Sequence, residues 1–291
     1  MLDRTLSTAD DRALLVQEAG DPDGKPILFH GGMPNSRLLY ARDAEVARRH
    51  GVRLISYDRP AYGGSARHEG RTVADCAGDV RTIAAGLGIE RLGIYGASGG
   101  GPHALACAAL LEDLAPAVAV LASLAPWGAE GLDYFAGMGK LNVDEVQLHF
   151  SDRAAAREKC EANRREYLQL GATELLEAFQ SILSPVDAAV LTDDFAKFFV
   201  DTLRDGLAPG SDGWWDDGVA VLGPWGFALA QIRRPVLLLH GRQDRFVPFA
   251  HGEWLARNIP GVEAGLTDED GHLTLYENHL GEIYDWLLSR M

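Results

Sequence analysis

Arg91-Leu-Gly-Ile-Tyr-Gly-Ala-Ser-Gly-Gly-Gly-Pro-His103 is the stretch whose reading decides the fold. A short apolar run, residues 92–95, leads into Gly96-Ala97-Ser98-Gly99-Gly100, and residues 103–111 read as a buried helix. The order is strand, tight turn, helix. The turn matches G-x-S-x-G, in which a serine at a strained backbone position projects its hydroxyl from the top of a sheet. Glycine on both flanks has a steric reason, because strand and helix pass so close that a Cβ would collide.

Working outward, the same alternation repeats. Residues 4–19 read as an opening hairpin, and residues 26–30, 52–57 and 116–122 as further strands. Helical spacing predicts helices over 37–50, capped by Asn35 or Ser36, and over 72–87, where Val73, Cys76, Val80, Ile83, Ala84 and Leu87 share one face and Gly88 ends it. Each strand is a continuous apolar run, the pattern of a parallel sheet covered on both faces. After Pro126 the pattern changes. Charged helical stretches are expected over 142–170, 173–183 and 185–207, with no convincing strand before residue 230. Strands at 234–240 and 262–267 and helices at 251–258 and 276–290 then resume the alternation. The expected division is a core over 1–125, a helical insertion over 126–230 and the rest of the core over 231–291.

Composition narrows the function. The 291 residues carry 42 acidic against 27 basic side chains, a net charge of -15, and no basic run. That disfavours nucleic acid or an anionic membrane as partner. Cys76, Cys107 and Cys160 are odd in number and widely spaced, so they read as reduced, mostly buried thiols and not as a zinc or redox motif. Met1-Leu-Asp-Arg-Thr has no basic region followed by an apolar run, and no apolar stretch is long enough to span a bilayer. A cytoplasmic protein acting on a small molecule is expected. Oligomeric state is not readable.

A serine hydroxyl needs a base within hydrogen-bond reach and a group to orient that base. Of nine histidines, His50 and His68 read as surface positions, His149 falls in the insertion and His103 lies on the helix that Ser98 begins. His272 differs, since it follows the last strand in a short loop, Asp270-Gly271-His272. Asp244 is the first acidic group beyond the strand at 234–240, whereas the preceding strand ends in Ser123-Leu124-Ala125-Pro126 without a carboxylate. Asp268, Glu269 and Asp270 sit too near His272 in sequence and read as solvated loop charges.

Ser98, Asp244, His272 is the chain order of the α/β-hydrolases, and the sequence resembles that superfamily over essentially its whole length. The matching motifs are His30-Gly31-Gly32-Met33-Pro34, Asp58-Arg59-Pro60-Ala61-Tyr62-Gly63-Gly64-Ser65, the Ser98 turn, Gly241-Arg242-Gln243-Asp244-Arg245-Phe246-Val247-Pro248 and Gly271-His272. The resemblance implies an α/β-hydrolase fold, with a mostly parallel sheet, flanking helices and an inserted helical cap. It also implies an oxyanion hole built from the Gly99 N–H and that of Met33 or Gly32. No metal or cofactor is implied. Serine in place of aspartate at the turn disfavours alkyl-enzyme chemistry. Met33 and Gly99 depart from the loop and the tryptophan of proline iminopeptidases.

Within the insertion, Trp127, Phe135, Trp214, Trp215, Trp225 and Phe227 are candidate pocket walls that would favour an apolar group. The expectation is a serine hydrolase of small esters or amides working through an acyl-enzyme. An aminopeptidase, a cofactor-free perhydrolase and a non-catalytic binding protein on the same scaffold are the alternatives.

Overall fold

The computed structural model describes residues 1–291, save the side chains of residues 172, 175 and 176. Eight strands form one sheet: β1 (Leu2–Ser7), β2 (Ala13–Gly20), β3 (Lys25–His30), β4 (Val52–Tyr57), β5 (Gly93–Ala97), β6 (Val118–Leu121), β7 (Val236–Gly241) and β8 (Glu263–Thr267). Their spatial order is β1-β2-β4-β3-β5-β6-β7-β8. The hairpin β1–β2 pairs antiparallel and β2 meets β4 antiparallel, while every pairing from β4 to β8 is parallel.

The continuous apolar runs follow from burial on both faces. Successive residues of a strand point to opposite sides. In β7, Val236 and Leu238 enter one core cluster and Leu237 and Leu239 the other; β6 divides Val118 and Val120 from Ala119 and Leu121 in the same way. One cluster is completed by α2 (Cys76–Leu87), α3 (Gly101–Leu110) and α10 (Phe249–Asn258), the other by α1 (Ala41–Arg49) and α11 (His272–Leu288). Each fully buried leucine or isoleucine in these layers contributes about 1.5–3 kcal/mol of transfer free energy.

Between β6 and β7 lie six helices: α4 (Lys140–Ser151), α5 (Arg153–Tyr167), α6 (Ala172–Ala178), α7 (Pro185–Val190), α8 (Asp193–Leu207) and α9 (Asp212–Leu222). They build their own cluster around Tyr167, Phe179, Ile182, Val200, Leu203 and Leu207. Two stretches that read as single helices are each broken by a capping side chain. Asp152 ends α4 in an extended conformation and accepts the Ala155 N–H, and Thr192 does the same for Phe195 at the start of α8.

Two further boundaries move. α1 begins at Ala41 and not at Arg37, because the Arg37 N–H donates to Asp58 Oδ1 and the Leu39 N–H to Gln17 Oε1, which holds that segment extended. α11 begins at His272 itself, so the histidine expected in a loop is the first residue of a helix.

Candidate active site

Parallel register brings the carboxyl ends of β3, β5, β6, β7 and β8 to one edge: His30 lies beside Gly96, Ala97 beside Leu121, Leu121 beside Leu239 and Gly241 beside Thr267. Ser98 follows β5 directly, Asp244 lies three residues beyond β7 and His272 five beyond β8. All three therefore emerge at the same edge.

Ser98 has φ of +54°, a left-handed conformation that a residue with a Cβ adopts at a cost of about 1–3 kcal/mol. Close packing enforces it. A Cβ at Gly96 would sit 2.4 Å from the Gly100 carbonyl oxygen, and one at Gly100 only 2.0 Å from that of His30. The collision expected from the flanking glycines is thus present on both sides of the turn.

Asp244 is buried and fully engaged. Its Oδ1 accepts the N–H groups of Phe246 and Val247, both at 2.8 Å, and Oδ2 accepts Nδ1–H of His272 at 2.7 Å. That bond fixes the tautomer, leaving Nε2 as the acceptor. The Phe246 ring stacks on the imidazole at 4.5 Å. Burial pushes the His272 pKa down, but the charges of Asp244 and Asp187 outweigh it, and the net shift is upward. A raised pKa makes the imidazole a stronger acceptor for the proton of a serine hydroxyl. Neither the Ser98 hydroxyl nor His272 Nε2 makes a protein hydrogen bond among the described residues. Contacts of this kind commonly tighten only once substrate is bound.

Gly99 and Gly100 lie in the 3-10 turn that runs into α3, at the helix end where N–H groups lack intrahelical acceptors and the dipole is positive. The Met33 side chain covers Gly99, and Gly32 approaches so closely that a Cβ there would lie 3.4 Å from that of Ser98. Both residues of the loop after β3 therefore pack against the turn. His103, behind the turn, is bonded through Nδ1 to the Gly99 carbonyl; burial lowers its pKa to about 4, so it stays neutral.

The motif beginning at Asp58 serves this loop. Asp58 accepts the Arg37 and Gly64 N–H groups. Arg59, next to it, donates to the carbonyls of Gly31 and Gly32 and to Asp217 of α9. Burial works against the Asp217 charge, yet Arg59 and Arg71 hold its pKa well below the usual carboxylate range.

Ser98, Gly99 and Met33 open onto a cavity of about 230 Å³ whose walls come largely from the helical block. Trp214 and Trp215 line it. Trp127, Phe135 and Trp225 do not: Trp127 stacks on Phe150 and packs against Phe135, and Trp225 is buried in the core with its indole N–H on the Val221 carbonyl. Trp127, Trp225 and Phe227 instead border a separate recess of about 560 Å³, which is larger but contains none of Ser98, Asp244 and His272.

Sequence reasoning did not single out Tyr134, Glu145, Tyr167 or Phe246 as cavity walls, and it set His149 aside although it lines the cavity too. Helical spacing inside the block could have paired Asn142, Glu145 and His149 on one face of α4, but nothing in the sequence shows that this face turns toward Ser98. Burial raises the Glu145 pKa to about 7 against the opposing effects of Lys159 and of the Asn163 Nδ2 bond. Of the three cysteines, Cys76 and Cys107 are buried, and Cys160 lies at the cavity with its thiol pushed up to about 12 by burial.

Known proteins share this architecture. The sequence model of the alpha/beta hydrolase fold matches residues 25–279. The chain belongs to the α/β-hydrolase family. It is 27% identical over 276 residues to the AB hydrolase superfamily protein YisY of Bacillus subtilis, covering 94% of this chain and 93% of that one. It is 24% identical over 280 residues to the bifunctional esterase/perhydrolase DCH of Acinetobacter calcoaceticus, covering 93% and 90%. Among solved structures, the esterase EaEST of Exiguobacterium antarcticum superposes with a TM-score of 0.70 at 20% identity, covering 99% of this chain and 98% of that one. As an α/β-hydrolase the chain is a hydrolytic enzyme. No helix among the described residues is long and apolar enough to cross a membrane.

Proposed function

We propose that the chain is a serine hydrolase of small, largely apolar carboxylic esters, with Ser98, His272 and Asp244 as its catalytic triad. The observation that carries this reading is the 2.7 Å bond from His272 Nδ1–H to a buried Asp244, on the same sheet edge as a serine held at positive φ. Ser98 Oγ attacks the ester carbonyl while His272 Nε2 takes its proton. The N–H groups of Gly99 and of Met33 or Gly32 receive the developing oxyanion. His272 then protonates the departing alkoxide. Water, deprotonated by the same imidazole, cleaves the acyl-serine bond and restores the hydroxyl.

The helical block over 126–230 acts as a cap, and Trp214 and Trp215 are the aromatic walls that favour an apolar acyl or alcohol group. Ser98→Ala should abolish both p-nitrophenyl ester turnover and labelling by a fluorophosphonate; turnover at the wild-type rate would refute the mechanism. The similarity to an esterase/perhydrolase supports a second use of the same acyl-enzyme, in which hydrogen peroxide replaces water and the acyl group leaves as a peracid. Peracid formation from peroxide and a short-chain ester, lost in Ser98→Ala, is its test.

A further inference from the structure

One side chain of the helical block reaches the helix that carries the base. α7 is only six residues long, and its Asp187 carboxylate is fully buried against the start of α11. Oδ2 accepts the His272 N–H at 3.0 Å, while Oδ1 accepts those of Leu273 at 2.8 Å and Thr274 at 3.1 Å. These are three of the four N–H groups that a helix start leaves without partners. Ser184 Oγ donates to Oδ2 at 2.7 Å, and Thr274 Oγ1 lies 3.5 Å from Oδ1. No lysine or arginine pairs with Asp187 among the described residues; its charge is balanced by these donors and by the helix dipole.

Two features make this arrangement specific. Every group around the carboxylate is a donor and both oxygens are used, so an asparagine would turn an N–H₂ toward N–H or O–H groups. Gly271 leaves the necessary room, since a Cβ there would lie 2.4 Å from Asp187 Oδ2. The charged and titratable groups facing His272 are Asp244 from the loop after β7 and Asp187 from α7, with His240 of β7 behind Asp244 at 3.7 Å.

We propose that Asp187 is the positioning residue of the base: from the helical block it fixes the main chain of His272 through the first N–H groups of α11. The base is thus held from two sides, at the ring by the core and at the backbone by the block. The inference rests on the Ser98–His272–Asp244 reading.

Three variants test it, each compared with wild type for kcat, KM, thermal midpoint and the pH profile of kcat/KM on p-nitrophenyl acetate. Asp187→Asn should lower kcat about 10- to 100-fold, the range for a small misplacement of a catalytic group, with KM changed less than about twofold. Its acid limb should also move to lower pH, because one of the two charges that raise the His272 pKa is gone. Gly271→Ala keeps the charge but displaces it, so kcat should fall while the acid limb stays. Arg164→Ala removes the side-chain bonds from α5 to the Leu207 and Ala208 carbonyls, loosening the block at a place away from α11, and should change neither quantity.

Unchanged kcat in Gly271→Ala, an unmoved acid limb in a folded Asp187→Asn, or an equal shift in Arg164→Ala would each overturn the proposal. If Asp187→Asn does not fold, the kcat of Gly271→Ala decides. Wild type that a fluorophosphonate fails to label at Ser98 would count instead against the hydrolase reading.

Discussion

Arg59 and Asp217 form a buried ion pair that ties the loop after β3 to the helical block. Asp217 Oδ2 accepts from Arg59 Nε at 2.8 Å, and the other two nitrogens of the guanidinium hold the carbonyls of Gly31 and Gly32 at 2.6 and 3.1 Å. In a trans peptide the C=O and the following N–H point in opposite directions. By drawing both carbonyls to its own side, Arg59 turns the N–H groups of Gly32 and Met33, the proposed oxyanion donors, the other way.

Arg59→Lys keeps the charge beside Asp217 but loses the planar fork. It should lower kcat on p-nitrophenyl acetate about 10- to 100-fold with little change in KM, because a misdirected oxyanion donor costs on the order of 10²-fold or more. A folded Arg59→Lys with kcat within twofold of wild type would show that the loop holds its geometry unaided. Arg59→Met should behave differently. It strands Asp217 with Arg71 as its remaining partner, and breaking one side of a buried pair costs about 3–5 kcal/mol, so stability should fall first.

Asp244→Asn tests the tautomer. The amide oxygen can still accept the Phe246 and Val247 N–H groups, which places the –NH₂ against His272 Nδ1 and transfers the ring proton to Nε2. Nε2–H cannot accept a proton from Ser98. The expected loss in kcat is about 10³- to 10⁴-fold, with the thermal midpoint little changed. A loss below tenfold would remove Asp244 from the triad.

How far the sequence shows this site depends on what kind of contact makes it. That Ser98, Asp244 and His272 share one sheet edge was legible because each follows a parallel strand, and the strands were legible because both faces are buried and the apolar runs are unbroken. Arg59 and Asp187 were not legible in these roles. Their partners are backbone atoms 27 and 85 residues away, and no side-chain pattern records a bond to a main-chain group. Trp225 misled for a related reason: a tryptophan in a helical insertion reads the same whether it faces a cavity or, as here, buries its indole under α9 with its N–H on Val221.

The turn at Ser98 makes a stability prediction through its glycines. Gly100→Ala must push a Cβ into the His30 carbonyl, and the expected cost is about 1–3 kcal/mol. Gly78, on the exposed side of α2, has nothing within 4 Å of the place a methyl would take and lies within the helix, so Gly78→Ala should instead gain about 0.5–1 kcal/mol. Denaturant titration of both variants reads the contrast directly. A Gly100→Ala protein as stable as wild type would mean that the elbow can relax.

Glu145 makes the last prediction, and its sign follows from linkage. Burial lifts its pKa to about 7 in the folded state, above the ordinary 4.5 of an unfolded chain. The folded protein therefore binds more protons than the unfolded one between those values, and stability falls as pH rises through that window. Glu145→Gln keeps an oxygen for Asn163 Nδ2 but cannot ionise. At about pH 4, below the unfolded-chain value, the carboxyl is largely protonated in both states and the variant and wild type should melt nearly together. At pH 8 the variant should melt several degrees higher, since the gap between 4.5 and about 7 corresponds to up to about 3 kcal/mol. Equal differences at the two pH values would mean that Glu145 ionises without cost, with the cavity wall around it open to water. The same pair of proteins compares substrates: with the carboxylate gone from the wall, kcat/KM should rise for a longer, wholly apolar acyl chain relative to acetate, and an unchanged ratio would place Glu145 outside the path of the acyl group.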